Sequence, residues 1–102
     1  MELGNCEYRY FISYSGVKLP LKLVNELEDA SHLENRNTYF RGRYDAEQRL
    51  MLLEKLVYGE VELRHVYTYH ANGMLAAAEI TDADGEIDLL RFDETGATLK
   101  FD

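Results

Sequence analysis

One cysteine, one proline, no tryptophan and no long apolar run are what this 102-residue chain has least of. Each shortage excludes something. A lone thiol cannot form an internal disulfide, so Cys6 is expected as a reduced, inert group and the protein as cytoplasmic. No apolar stretch approaches the ~18 residues that a spanning helix needs. The opening Met1-Glu2-Leu3-Gly4-Asn5-Cys6-Glu7 has neither the basic start nor the apolar stretch of a signal peptide. Cys6 has no zinc or nucleophile spacing to His32, His65 or His70, and neither a metal nor a cofactor is expected. P-loop, GxSxG and CxxC motifs are missing as well.

Positive charge is also scarce, at 11 Lys and Arg against 19 Asp and Glu, a net −8. Residues 70–102 carry eight carboxylates against Arg91 and Lys100, a local −6, whereas residues 36–69 are slightly basic. An acidic chain repels phosphate backbones, so nucleic acid is not an expected partner. The Asn35–Tyr44 stretch does interleave basic and aromatic residues, but strand alternation parts Phe40 and Tyr44 from Arg41 and Arg43.

Turn residues are plentiful. Gly73, Gly85 and Gly96 close the polar groups His70-Ala71-Asn72-Gly73, Asp82-Ala83-Asp84-Gly85 and Asp93-Glu94-Thr95-Gly96. Asn-Gly and Asp-Gly between alternating segments are strong hairpin signals, because such turns need positive φ. Asp45-Ala46-Glu47-Gln48 and Tyr58-Gly59 extend the series upstream. Glu60–Tyr69 alternates apolar and polar residues, and Met74–Ile80, Glu86–Phe92 and Ala97–Phe101 continue the pattern.

Near the N-terminus, Tyr8–Tyr14 reads as a strand and Ser15-Gly16 as a two-residue turn. Val17–Leu23 then pairs back with Tyr14 opposite Val17, and Pro20 assigns it to a sheet edge. Asn25-Glu26-Leu27-Glu28 resembles a capped helix start. The chain is thus expected as a single domain, mainly β. It reads as a twisted antiparallel meander of about eight strands with one short helix near residues 25–34. Residues 46–57 have helical propensity, and α+β with that segment helical is the alternative.

The aromatic-Asp-x-x-Gly-x-Leu turns at Tyr69–Leu75 and Phe92–Leu99, with a partial copy at Tyr44–Leu50, resemble YD (Rhs-type) β-hairpin repeats over residues 38–101. His70 in place of Asp and Gln48 in place of Gly depart from that pattern. The stretch Tyr10–Leu23 is similar to a small bacterial family of unknown function, which implies no activity and no site residues.

Register arithmetic from the turns gives a candidate site. With loops at Asp45–Gln48, Tyr58-Gly59, Asn72-Gly73 and Asp84-Gly85, the rows Arg41–Leu52–His65 and Arg43–Leu50–Tyr67–Ala78–Arg91 form. Arg41, Arg43, Glu54, His65, Tyr67 and Arg91 then share one face with Tyr39. Phe40, Tyr44, Met51, Leu53, Val66, Ala77, Leu90 and Phe92 form the core face. Arginines suit a carboxylate or phosphate, and Glu54 with His65 could act as an acid–base pair. A calcium loop at Asp82–Asp93 fails because position six is Ile87.

The first functional expectation is a non-enzymatic bacterial binding or accessory protein acting through protein–protein contact. Homodimerisation through the edge strand and capture of a basic nuclease or DNA-binding protein are its variants. The alternative is a small-anion or ligand-binding protein, or an enzyme, using the arginine-bearing face.

Overall fold

Four turns obey one hydrogen-bond template in the computed structural model, which describes residues 8–16, 18–28 and 36–99. In each, the first residue donates its N–H to the carbonyl four residues on, and its own carbonyl accepts from the N–H three residues on. The four pairs are Asp45–Arg49, His70–Met74, Asp82–Glu86 and Asp93–Ala97. This is a three-residue hairpin loop ending in a left-handed residue, where φ is +67° at Gln48, +90° at Gly73, +84° at Gly85 and +96° at Gly96. Aspartate suits the first position because one Oδ1 accepts the N–H groups two and four residues ahead. Asp45, Asp82 and Asp93 all do so, at 2.9–3.0 Å. At His70 the task passes to Asn72, whose Oδ1 accepts the Met74 N–H at 3.0 Å. Tyr58-Gly59 is a two-residue turn with both φ positive, as expected.

Between these turns run β1 (Arg9–Ser15), β2 (Lys22–Glu26), β3 (Thr38–Tyr44), β4 (Leu50–Val57), β5 (Glu60–Tyr69), β6 (Leu75–Thr81), β7 (Ile87–Phe92) and β8 (Thr98–Leu99). They form one antiparallel eight-stranded sheet in the order β2-β1-β3-β4-β5-β6-β7-β8. The mainly-β expectation holds, and residues 50–57 are strand rather than helix because β4 pairs with β3 from Leu50 to Val57 and with β5 from Leu52 to Val57. No helix among the described residues is long and apolar enough to cross a membrane.

The N-terminal hairpin departs from expectation. Tyr14 pairs with Leu23 rather than Val17, so the connection is a longer loop containing Pro20, and β2 lies at the edge. Asn25 lies inside β2 at φ +63° and caps no helix. Residues 29–34 of the expected helix lie outside the described residues.

Three bulges then decide which side chains share a face. Met51 is the extra residue between the pairs Arg43–Leu52 and Tyr44–Leu50. Glu62 interrupts β5 between Leu63, opposite Lys55, and Val61, opposite Leu56. Ala76 does the same in β6. The core face carries Phe11, Phe40, Leu53, Tyr67, Leu75 and Ala78, and is covered by the β1–β2 loop, whose Leu19 and Leu21 pack on it. Leu21 is pinned there by its N–H, which donates to the Tyr67 hydroxyl at 3.2 Å. Phe40, Tyr44, Leu53, Leu90 and Phe92 lie on that face as expected. Val66 and Ala77 lie on the other, and Met51 sits at a bulge.

Space on the core face is tight at Gly42. A β-carbon there would sit 2.6 Å from Leu23 Cδ1, 2.9 Å from Leu50 Cδ1 and 3.0 Å from the Leu52 carbonyl oxygen. Only glycine lets the edge strand's Leu23 reach the core across β3.

Candidate functional site

The six candidate residues divide between the two faces. Arg41, Arg43, Glu54 and Arg91 share one, whereas His65 and Tyr67 lie on the core face. The Glu62 bulge is the cause: it pairs Leu52 with Val66 and Leu53 with His65, one residue away from the expected rows. Arg91 returns to the arginine face because the β6–β7 loop holds three residues rather than two, which pairs Ala78 with Leu90. Glu54 and His65 are therefore not an acid–base pair, and the six side chains line no common cavity.

On the arginine face, Arg41, Glu54 and Arg64 form a direct cross-strand row through β3, β4 and β5. Glu54 is fully buried. Its Oε1 accepts Arg41 Nε at 2.7 Å and its Oε2 accepts Arg64 Nε at 2.7 Å. Burial pushes the Glu54 carboxyl up, but hydrogen bonds from Arg41 and Arg64, reinforced by their charges, outweigh it and leave the pKa lowered. Tyr8 stacks beneath both neighbouring cations, with Arg41 Cζ 4.1 Å and Arg43 Cζ 4.5 Å from its ring centre. Tyr10 and Tyr39 continue the aromatic surface, their rings 6.1 Å apart. Arg43 Nε is buried and has no hydrogen-bond partner among the described residues. Arg64 was not among the expected residues, since the bulge that brings it beside Glu54 has no sequence signature.

On the core face, His65 Nδ1 lies 2.7 Å from the Tyr67 hydroxyl. Burial lowers the His65 pKa and so favours neutral imidazole. Because the Tyr67 oxygen accepts the Leu21 N–H, its proton is available to His65 Nδ1. This chain of bonds anchors the covering loop to the sheet. The nearby Tyr69 hydroxyl donates to the Leu50 carbonyl at 2.6 Å, and burial raises its pKa to about 12.

A different surface stands out at the C-terminal end. Every residue of β7 except Phe92 is exposed, although the strand reads Ile-Asp-Leu-Leu-Arg-Phe. Ile87 and Leu89 are 59% and 52% exposed and share the arginine face with Val66 and with Leu99, itself 43% exposed. Leu90 faces the other way and is also exposed. The sequence held a signal for this surface. Apolar residues at 87 and 89 and again at 90 and 92 give one strand two apolar faces, in a chain too short to cover both.

No curated protein and no solved structure matches the chain. The comparisons lend no support to the resemblance to YD repeats. One family model does match, and it covers all of the sheet just described. Through residues 4–101 the chain belongs to a family of unknown function (DUF6156).

Proposed function

We propose that the protein is a non-enzymatic binding protein that acts through protein–protein contact, with its C-terminal hairpins as the docking surface. The observation that carries this reading is β7, a mostly apolar strand with solvent on both faces. Isolated exposed leucines are ordinary, but Ile87, Leu89 and Leu99 lie on the neighbouring β7 and β8 of one face, with Val66 two strands away on β5. Carboxylates border the β7–β8 patch: Glu79 separates Leu89 from Val66, and Asp82, Asp84 and Glu86 form the turn beside Ile87. The fitting partner is a protein whose apolar patch is ringed by lysine and arginine. A second copy is disfavoured by its own −8 charge. The strongest acid–base candidates are otherwise engaged, Glu54 by two arginines and His65 by Tyr67.

The test is affinity capture from the source cells, followed by titration with the captured protein in purified form. Ile87→Ser with Leu89→Ser should weaken binding about a hundredfold. Raising the ionic strength should slow association. Arg41→Ala should leave the affinity unchanged. Binding indifferent to the double substitution overturns this surface. Concentration-dependent dimers that the double substitution abolishes would identify the occupant as a second copy instead.

A further inference from the structure

The core face carries a groove that the docking surface does not use. It has a volume of about 580 Å³, within the range of small-molecule sites. Leu19 and Pro20 of the β1–β2 loop line it together with Tyr69, Met74, Leu75 and Phe92. A smaller cavity of about 290 Å³ adjoins it across Pro20 and Tyr69 and runs on toward Leu21, Lys22 and Leu50. The Tyr69 hydroxyl is spent on the Leu50 carbonyl and offers a ligand little but its ring.

Charge at this groove opposes that of the chain. Lys18 stands in the wall of the larger cavity and Lys22 in that of the smaller. Arg49 also borders the smaller one but is held by Asp45 and Glu47. Among the described residues no carboxylate lines either cavity, although the protein carries 19 of them. Apolar walls reject a small hydrophilic anion, and the lysines reject an apolar cation.

We propose that this groove binds an amphipathic monocarboxylate, an unbranched aliphatic acid lying along Leu19, Pro20, Met74 and Phe92 with its carboxylate at Lys18. The loop that contributes Leu19 and Pro20 is fastened by the Leu21–Tyr67–His65 hydrogen bonds, so the groove is largely formed before a ligand arrives. The inference stands apart from the protein-docking reading, which uses the opposite face.

The test is built on sign. By net charge alone, the protein should prefer an aliphatic cation to the matching anion. Sodium decanoate and decylammonium chloride are titrated, below their micelle concentrations, into protein carrying labelled methyl groups. Decanoate should bind about tenfold more tightly. Shifts should be confined to the methyls of Leu19, Met74 and Leu75. Lys18→Glu, an exposed change, should erase the preference for the acid. Met74→Trp should block both ligands while the backbone amide spectrum stays folded. Equal affinities, a preference for the cation, shifts centred on Ile87 and Leu89, or no shifts at all would each overturn the proposal.

Discussion

β4 and β7 are built from similar residues and end in opposite circumstances. β4 buries an ionised glutamate completely, whereas β7 leaves two leucines and an isoleucine in solvent. Polarity therefore does not decide burial in this sheet; position does. β4 has strands on both sides and cover on its core face, and on its arginine face Tyr39 of β3 lies beside Leu56. β7 has the two-residue β8 on one side and, among the described residues, no equivalent cover. The radius of gyration is 14.4 Å, against about 13 Å for a compact domain of this length, as expected of a sheet left bare at one end.

The contrast can be broken most forcefully at Glu54. Glu54→Ala strands Arg41 and Arg64 beside one another without an acceptor and should cost about 3 kcal/mol in urea unfolding. Arg64→Ala should cost less, because its side chain is half exposed. The glutamate's lowered pKa adds a pH signature. Its contribution is complete above the usual carboxylate range and is lost as pH falls through the folded value, so acid should narrow the gap between wild type and Glu54→Gln.

Gly42→Ala tests the packing of the covered end. The added carbon meets a backbone carbonyl as well as two leucine methyls, and a loss of about 2 kcal/mol in thermal or urea unfolding is expected. The turns should respond more mildly, and alike at both ends. Asp45→Ala and Asp93→Ala each remove two hydrogen bonds to backbone N–H groups and should cost about 1 kcal/mol. Smallest of all is Leu89→Ser, which should change unfolding by no more than about 0.5 kcal/mol. A much larger loss there would show that β7 is covered in solution.

Much of this architecture was legible in the residues. Asp-x-x-Gly fixes a turn because the carboxylate and the left-handed position are local requirements, and the order of β3 to β8 follows from turns that join neighbours. The second strand does lie at the edge as expected, but Pro20, which prompted that reading, sits in the β1–β2 loop and not in β2. Bulges were not legible. Met51, Glu62 and Ala76 are ordinary strand residues, and each extra residue reverses the facing of everything beyond it. At β5–β6 the misjudged loop length and the Ala76 bulge cancel, so Tyr67 does face Ala78 as the arithmetic expected. At β4–β5 nothing cancels the Glu62 bulge. His65 and Tyr67 therefore turn away from Glu54, and Arg64 takes their place.

The pairing of β1 with β3 carries a consequence for how the chain reaches this state. From β3 onward, each strand joins the one just made, across a turn that encodes its own geometry. β1 must instead find Phe40 with Phe11 across an intervening stretch that includes β2. Closing that longer loop costs more entropy than any of the tight hairpins. The C-terminal meander should accordingly form by zippering, with the N-terminal hairpin docking late and sealing the core. Substitutions in β3 to β5 should slow refolding, whereas substitutions in β1, such as Phe11→Leu, should chiefly speed unfolding. The strand that completes the core would then be the last to arrive and the first to leave.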